Sequence, residues 1–148
     1  MNTAFQVADY FLHKASQEED GSELISNLKL QKLIYYAQGF HLAMYGKPLF
    51  AEVIEAWTHG PVCPVLYHAK KQHKNEAVAP NPDFDASVFN KEQQDLLNEI
   101  YEVYGQFSAW KLRNLTHTES PWLDNIDSES NKVISHDDLK DYFKNQLN

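Results

Sequence analysis

Cysteine is almost missing from this sequence. Cys63 stands alone, so no intramolecular disulfide can form, and a reducing compartment is the expected setting. Long apolar runs are missing too. No stretch approaches the ~20 residues that cross a bilayer, and the first residues lack a basic-then-apolar leader pattern. The expectation is a cytoplasmic chain with no membrane attachment. Positive charge is scarce: 13 Lys and Arg stand against 21 Asp and Glu, a formal net charge of −8. Nucleic acid is therefore disfavoured as a partner, because its binding is led by Lys and Arg neutralising phosphates. The acidic balance serves solubility first and fits a basic protein partner second. The sequence has no phosphate-binding glycine loop and neither GxSxG nor HExxH, and one cysteine cannot build a four-cysteine zinc site. No internal repeat or domain boundary stands out. The 148 residues suit one domain, 1–148, able to bury a core without a covalent or metal staple.

Aromatic residues are plentiful, at 13%. The most ordered stretch runs from Ser26 to Tyr45. Leu30, Leu33, Ile34, Ala37, Phe40, His41 and Met44 recur in steps of three and four, the period of a helix face. Ser26 suits the N-cap, Ile25 and Leu30 suit a hydrophobic staple, and Gly46 supplies a stop. Leu28, Tyr36 and Leu42 lie off that stripe. A helix apolar on more than one face belongs in the middle of a domain, so this one is expected to be central. Gly39 inside it costs about 1 kcal/mol relative to Ala, which predicts close approach of another element there.

Around this helix the pattern is mostly helical. Thr3 and Gln6 form a capping box ahead of Phe5, Ala8, Phe11, Leu12 and Ala15. Residues 49–58 favour extended chain through Val53, Ile54, Trp57 and Thr58, followed by a turn at His59-Gly60-Pro61. A helix is expected from Pro64 to Lys74, and an exposed loop over residues 77–89. Asn90 with Gln93 opens a helix bearing Leu96, Leu97, Ile100, Val103 and Tyr104, ended by Gly105. Ser108 caps another with Trp110, Leu112 and Leu115. Residues 116–122 read as a polar loop closed by Trp122. Ser135 with Asp138 caps a last helix carrying Leu139, Tyr142, Phe143 and Leu147. The fold class is mainly α: a single-domain bundle of about six helices around a central helix, with a small β hairpin or short sheet.

The residues that could carry chemistry have ordinary readings beside the reactive ones. His59 and Cys63 are four apart, but Pro61 and Pro64 break any helix that would align them, so neither a metal nor a cofactor is expected. Cys63 with His59 or His117 as base would make a small hydrolase. A lone cysteine is more commonly a buried apolar residue. Glu52, Glu55, Asp83 and Asp85 read as solvated surface rather than a carboxylate pair. Lys70, Lys71, His73 and Lys74 read as a solvated helix end.

Three stretches together resemble a known family. Leu28-Lys29-Leu30-Gln31-Lys32-Leu33-Ile34-Tyr35-Tyr36-Ala37-Gln38-Gly39 is similar to its N-terminal signature helix. Glu55-Ala56-Trp57-Thr58-His59-Gly60-Pro61-Val62 is similar to its second motif, with His59 where tyrosine is common. Residues 112–122, ending Thr116-His117-Thr118-Glu119-Ser120-Pro121-Trp122, are similar to its third. The family is the Panacea domain of phage-associated GepA-like proteins and SocA-like antitoxins. The resemblance implies a mainly helical antitoxin, not an enzyme, that neutralises a cognate protein toxin encoded nearby by direct contact. It carries over no catalytic residue. This chain is too short to hold the separate DNA-binding segment that some members add. Tyr35, Trp57, His59, Gly60, Pro61, His117, Pro121 and Trp122 are the motif residues expected either to pack the fold or to line a recognition groove. A phage-associated adaptor or scaffold is a further reading, and self-association is left open.

Overall fold

A computed structural model describes residues 1–18, 25–71, 77–127 and 132–147. Among these the chain forms seven α-helices and one two-stranded sheet. They are α1 (Ala4–Ser16), α2 (Asn27–Tyr45), β1 (Glu55–Trp57), β2 (Gly60–Val62), α3 (Pro64–Lys70), α4 (Lys91–Tyr104), α5 (Ala109–Thr116), α6 (Ser120–Leu123) and α7 (His136–Lys144).

The caps read from the sequence are present. Thr3 and Gln6 close a capping box on α1, and Asn90 and Gln93 close another on α4. Ser26, Ser108 and Ser135 each accept a backbone N–H three residues on. Such caps satisfy donors that a helix start leaves without partners. Gly46 ends α2 in the left-handed region at φ 73°, where a Cβ would be strained. Gly105 ends α4 with φ −65°, an ordinary helical value, so its backbone freedom is not used.

Helix α2 occupies the centre. It packs against α1, α3, α4, α5, α7 and β2, and all its residues from Leu30 to Gly39 are buried. The expected cause of Gly39 is visible in α7. A Cβ at Gly39 would stand 2.2 Å from the Phe143 ring, so the missing side chain lets that ring lie on the backbone of α2. Phe143 is fully buried against Tyr35, Tyr36 and Phe40. Burying such a side chain contributes ~1.5–3 kcal/mol, which offsets the glycine.

The expected small hairpin is present, although its first strand begins only at Glu55 and its second lies beyond the predicted 49–58. β1 and β2 pair antiparallel, with Ala56 opposite Pro61 and Trp57 opposite Gly60, so Thr58 and His59 make the turn and Gly60-Pro61 lies in β2. Ala56 N–H donates to the Lys132 carbonyl and Ile134 N–H to the Ile54 carbonyl, each at 2.8 Å, which lays the chain before α7 alongside β1.

One expectation runs out of the described residues and three others change. Helix α3 stops at Lys70, and the predicted continuation to Lys74 runs into residues outside those described. The predicted loop 77–89 is tied down: Val78 and Phe89 are buried, and Val78 N–H donates to the Ile25 carbonyl at 2.8 Å. Residues 116–122 are not an open polar loop, because Thr116, Glu119 and Pro121 are buried and α6 starts at Ser120. Leu147 lies beyond α7 and is exposed.

Candidate partner-binding site

The polar residues of α2 interrupt an apolar helix, and each reaches a different segment. Gln31 Nε2 donates to Asn27 Oδ1 at 2.9 Å, while its Oε1 accepts the Cys63 N–H at 2.9 Å. Asn27 Nδ2 donates to the Tyr67 carbonyl of α3 at 3.1 Å. Gln38 holds the 49–50 corner through the Leu49 N–H (2.8 Å) and the Phe50 carbonyl (2.9 Å). Lys29 Nζ donates to the Gly105 carbonyl at 2.6 Å. Buried polar groups are costly without partners. With them, they fix the position of the hairpin, α3 and the end of α4 on one helix.

Tyr35 and Tyr36 supply the next node. Their hydroxyls donate to the two carboxylate oxygens of Glu119, at 2.8 and 2.9 Å. Glu119 is 8% exposed. Burial pushes its carboxyl up to about 7, while the two tyrosine donors pull the other way. Burial and the nearby carboxylate hold both tyrosines well above their ordinary range, and Tyr104 and Tyr142 are raised to about 12. The Tyr36 and Tyr104 rings stack at 3.9 Å and 8°. Both carboxylate oxygens are thus engaged by phenols that stay protonated.

The second and third motifs meet at the hairpin. Gly60 has φ +115°, and a Cβ there would stand 2.7 Å from Lys32 Cε and 2.9 Å from Thr116 Oγ1. Only glycine gives both that conformation and that clearance. Lys32 is buried, with Nζ donating to the Pro61 carbonyl at 3.3 Å. Burial, with the Arg113 charge second, lowers its ammonium to about 7. His117 Nε2 lies 3.1 Å from the Thr58 carbonyl, so that nitrogen carries the proton and donates. Burial first, then Arg113, lowers the pKa of His117. The imidazole lies over Trp122 at 4.0 Å, and the Trp122 indole donates to the Trp57 carbonyl at 2.7 Å. Trp57 in turn donates to Glu55 at 2.9 Å and meets Tyr67 edge-on at 5.2 Å.

The eight motif residues therefore divide. Trp57, His117 and Trp122 come together half-buried, with His59 exposed in the adjoining turn. Tyr35, Gly60, Pro61 and Pro121 are buried and reachable only by other parts of this chain. Cys63 is 1% exposed, and burial pushes its thiol up to about 11, the reverse of an activated nucleophile. Among the described residues no three His, Cys, Asp or Glu side chains converge as metal ligands would.

Lys32, Gln31, Gln38 and Glu119 carry only a faint individual signal in the sequence, a polar side chain where a helix or a Pro-Trp segment is otherwise apolar. Arg113 is equally unmarked, and its guanidinium covers the exposed Trp110 ring at 4.8 Å. Arg113 Nε is buried without a hydrogen-bond partner among the described residues.

Comparison with known proteins agrees with the motifs. The family model described as "Antitoxin SocA-like, Panacea domain" matches residues 30–123. A curated relative, Antitoxin SocA of Caulobacter vibrioides (strain NA1000 / CB15N), is 36% identical over 127 residues, covering 78% of this chain. The chain spans 66% of that relative's length, slightly under two thirds. No solved structure matches.

Proposed function

Given that the chain belongs to the SocA-like, Panacea-domain antitoxin family, we propose that it is an antitoxin that neutralises a protein toxin by binding it, working as one Panacea-like domain over residues 1–148 in the cytoplasm. No helix among the described residues is long and apolar enough to cross a membrane. The family match across the second and third motifs, residues 55–62 and 112–122, carries this reading. The toxin is expected from the gene beside this one. Within the motif set, Trp57, His59, His117 and Trp122 are the residues open to a partner, and aromatic side chains are favoured anchors in such contacts.

A non-enzymatic mechanism fits the buried, raised Cys63 thiol and the engaged Nε2 of His117. The test is co-expression with the neighbouring gene product, read as growth rescue and as a complex on affinity capture. Rescue with a complex is expected. Growth arrest with no complex overturns the reading. His59→Gln and His117→Gln keep polar side chains of similar reach and remove any general base, so both should still neutralise. A complex that persists while neutralisation disappears in these variants would point to catalysis.

A further inference from the structure

The surface between α2 and α4 holds a trough that the motifs do not explain. Phe40 and Met44 of α2 form one wall, one turn apart. Leu96, Ile100 and Val103 of α4 form the other, at spacings of four and three, and Gln146 and Leu147 also line it. The trough encloses about 380 Å³. Its floor is continuous with the core: Leu96 and Ile100 are buried, and Tyr104 stacks on Tyr36. Its rim is open, with Met44 at 45%, Val103 at 43% and Leu147 at 40% exposure. A largely apolar trough between two helix ridges is the kind of surface into which a third helix packs.

Charge lies on one side. Glu99 lines the trough, and Glu92, Asp95 and Glu102 share its face of α4 at helical spacing. All four are exposed, and Lys91 pairs with Asp95 at 2.8 Å. The α2 wall carries no Asp, Glu, Lys or Arg from Leu33 to Tyr45.

We propose that this trough seats an amphipathic helix of a protein partner, its apolar stripe on Phe40, Met44, Ile100 and Val103 and a lysine- and arginine-rich flank along Glu92, Glu99 and Glu102. The site deepens the antitoxin reading by giving the partner's contact element a chemistry. It shares no residue with the Trp57–His117–Trp122 cluster.

The test uses the full chain and two synthetic helical peptides. Both carry leucine at positions i, i+3, i+4 and i+7; one has lysine along the flank and the other glutamate. Fluorescence anisotropy should show the lysine peptide binding at least ~10-fold more tightly, the equivalent of ~1.4 kcal/mol. Val103→Asp should weaken that binding by a similar factor, and so should the pair Glu99→Lys and Glu102→Lys. Both variants alter exposed positions, and circular dichroism checks that each stays folded. Equal affinity for the two peptides overturns the proposal, as does unchanged binding by both variants. Growth rescue by the wild-type chain reports on the antitoxin reading separately. Rescue without peptide discrimination sinks the trough alone, and discrimination without rescue sinks the antitoxin reading alone.

Discussion

At the residue scale, two buried ionisable groups set how stability follows pH. Glu119 keeps its proton up to about 7 in the folded chain, against an ordinary 4.5. Between those values the native state holds a proton that the unfolded chain has released, so stability falls as pH rises through the window, by on the order of 3 kcal/mol. Glu119→Gln keeps one acceptor and replaces the other oxygen with a donor. It should flatten the urea-unfolding free energy between pH 4.5 and 7. An unchanged slope would mean that Glu119 ionises as freely in the fold as outside it. Lys32 runs the other way. Its folded value of about 7 lies below an ordinary 10.5, so between these the unfolded chain holds the extra proton and stability rises with pH. Lys32→Met should compare best with the parent below pH 7 and lose ground steadily towards pH 10.5. A separate, pH-independent loss comes from the Pro61 carbonyl left without its donor, at ~1–3 kcal/mol if it finds no water. Melting curves across the range decide it.

At the element scale, α2 and α7 were legible because their apolar residues recur at helical spacing and their caps are serines at the expected places. The docking of α7 was half legible. Gly39 announced that something approaches α2, but nothing local names Phe143 as the visitor. Gly39→Ala would favour an isolated helix by about 1 kcal/mol. In this fold it should destabilise instead, by ~1–3 kcal/mol, because the new methyl meets the Phe143 ring. Gly39→Ala with Phe143→Leu should cost less than the two single changes added together. Strict additivity in chemical unfolding would contradict the contact. Residues 116–122 read as a polar loop because their burial is decided far away: Glu119 is 84 positions from Tyr35. The turn expected at His59-Gly60-Pro61 sits one step late, since Thr58 and His59 make it, and the reason is similar. Its glycine answers to Lys32 and Thr116 rather than to its chain neighbours.

At the scale of the whole molecule, nearly every element leans on α2, so this helix can open only when the rest lets go. Native-state hydrogen exchange should give the Leu33–Gln38 amides protection equal to the global unfolding free energy, with α3 and the hairpin releasing earlier. Exchange of those amides at a markedly lower free energy would contradict a central α2. The motif residues follow the same geometry. Gln31, Lys32, Tyr35, Tyr36 and Gln38 all turn inward and spend their polar atoms on their own chain. What is recognisable in this sequence is consequently the chassis, which is silent about cargo. Two relatives could match at every inward position and still capture unlike toxins. Grafting only the outward residues of one onto the other should redirect its choice and leave the melting temperature almost where it was.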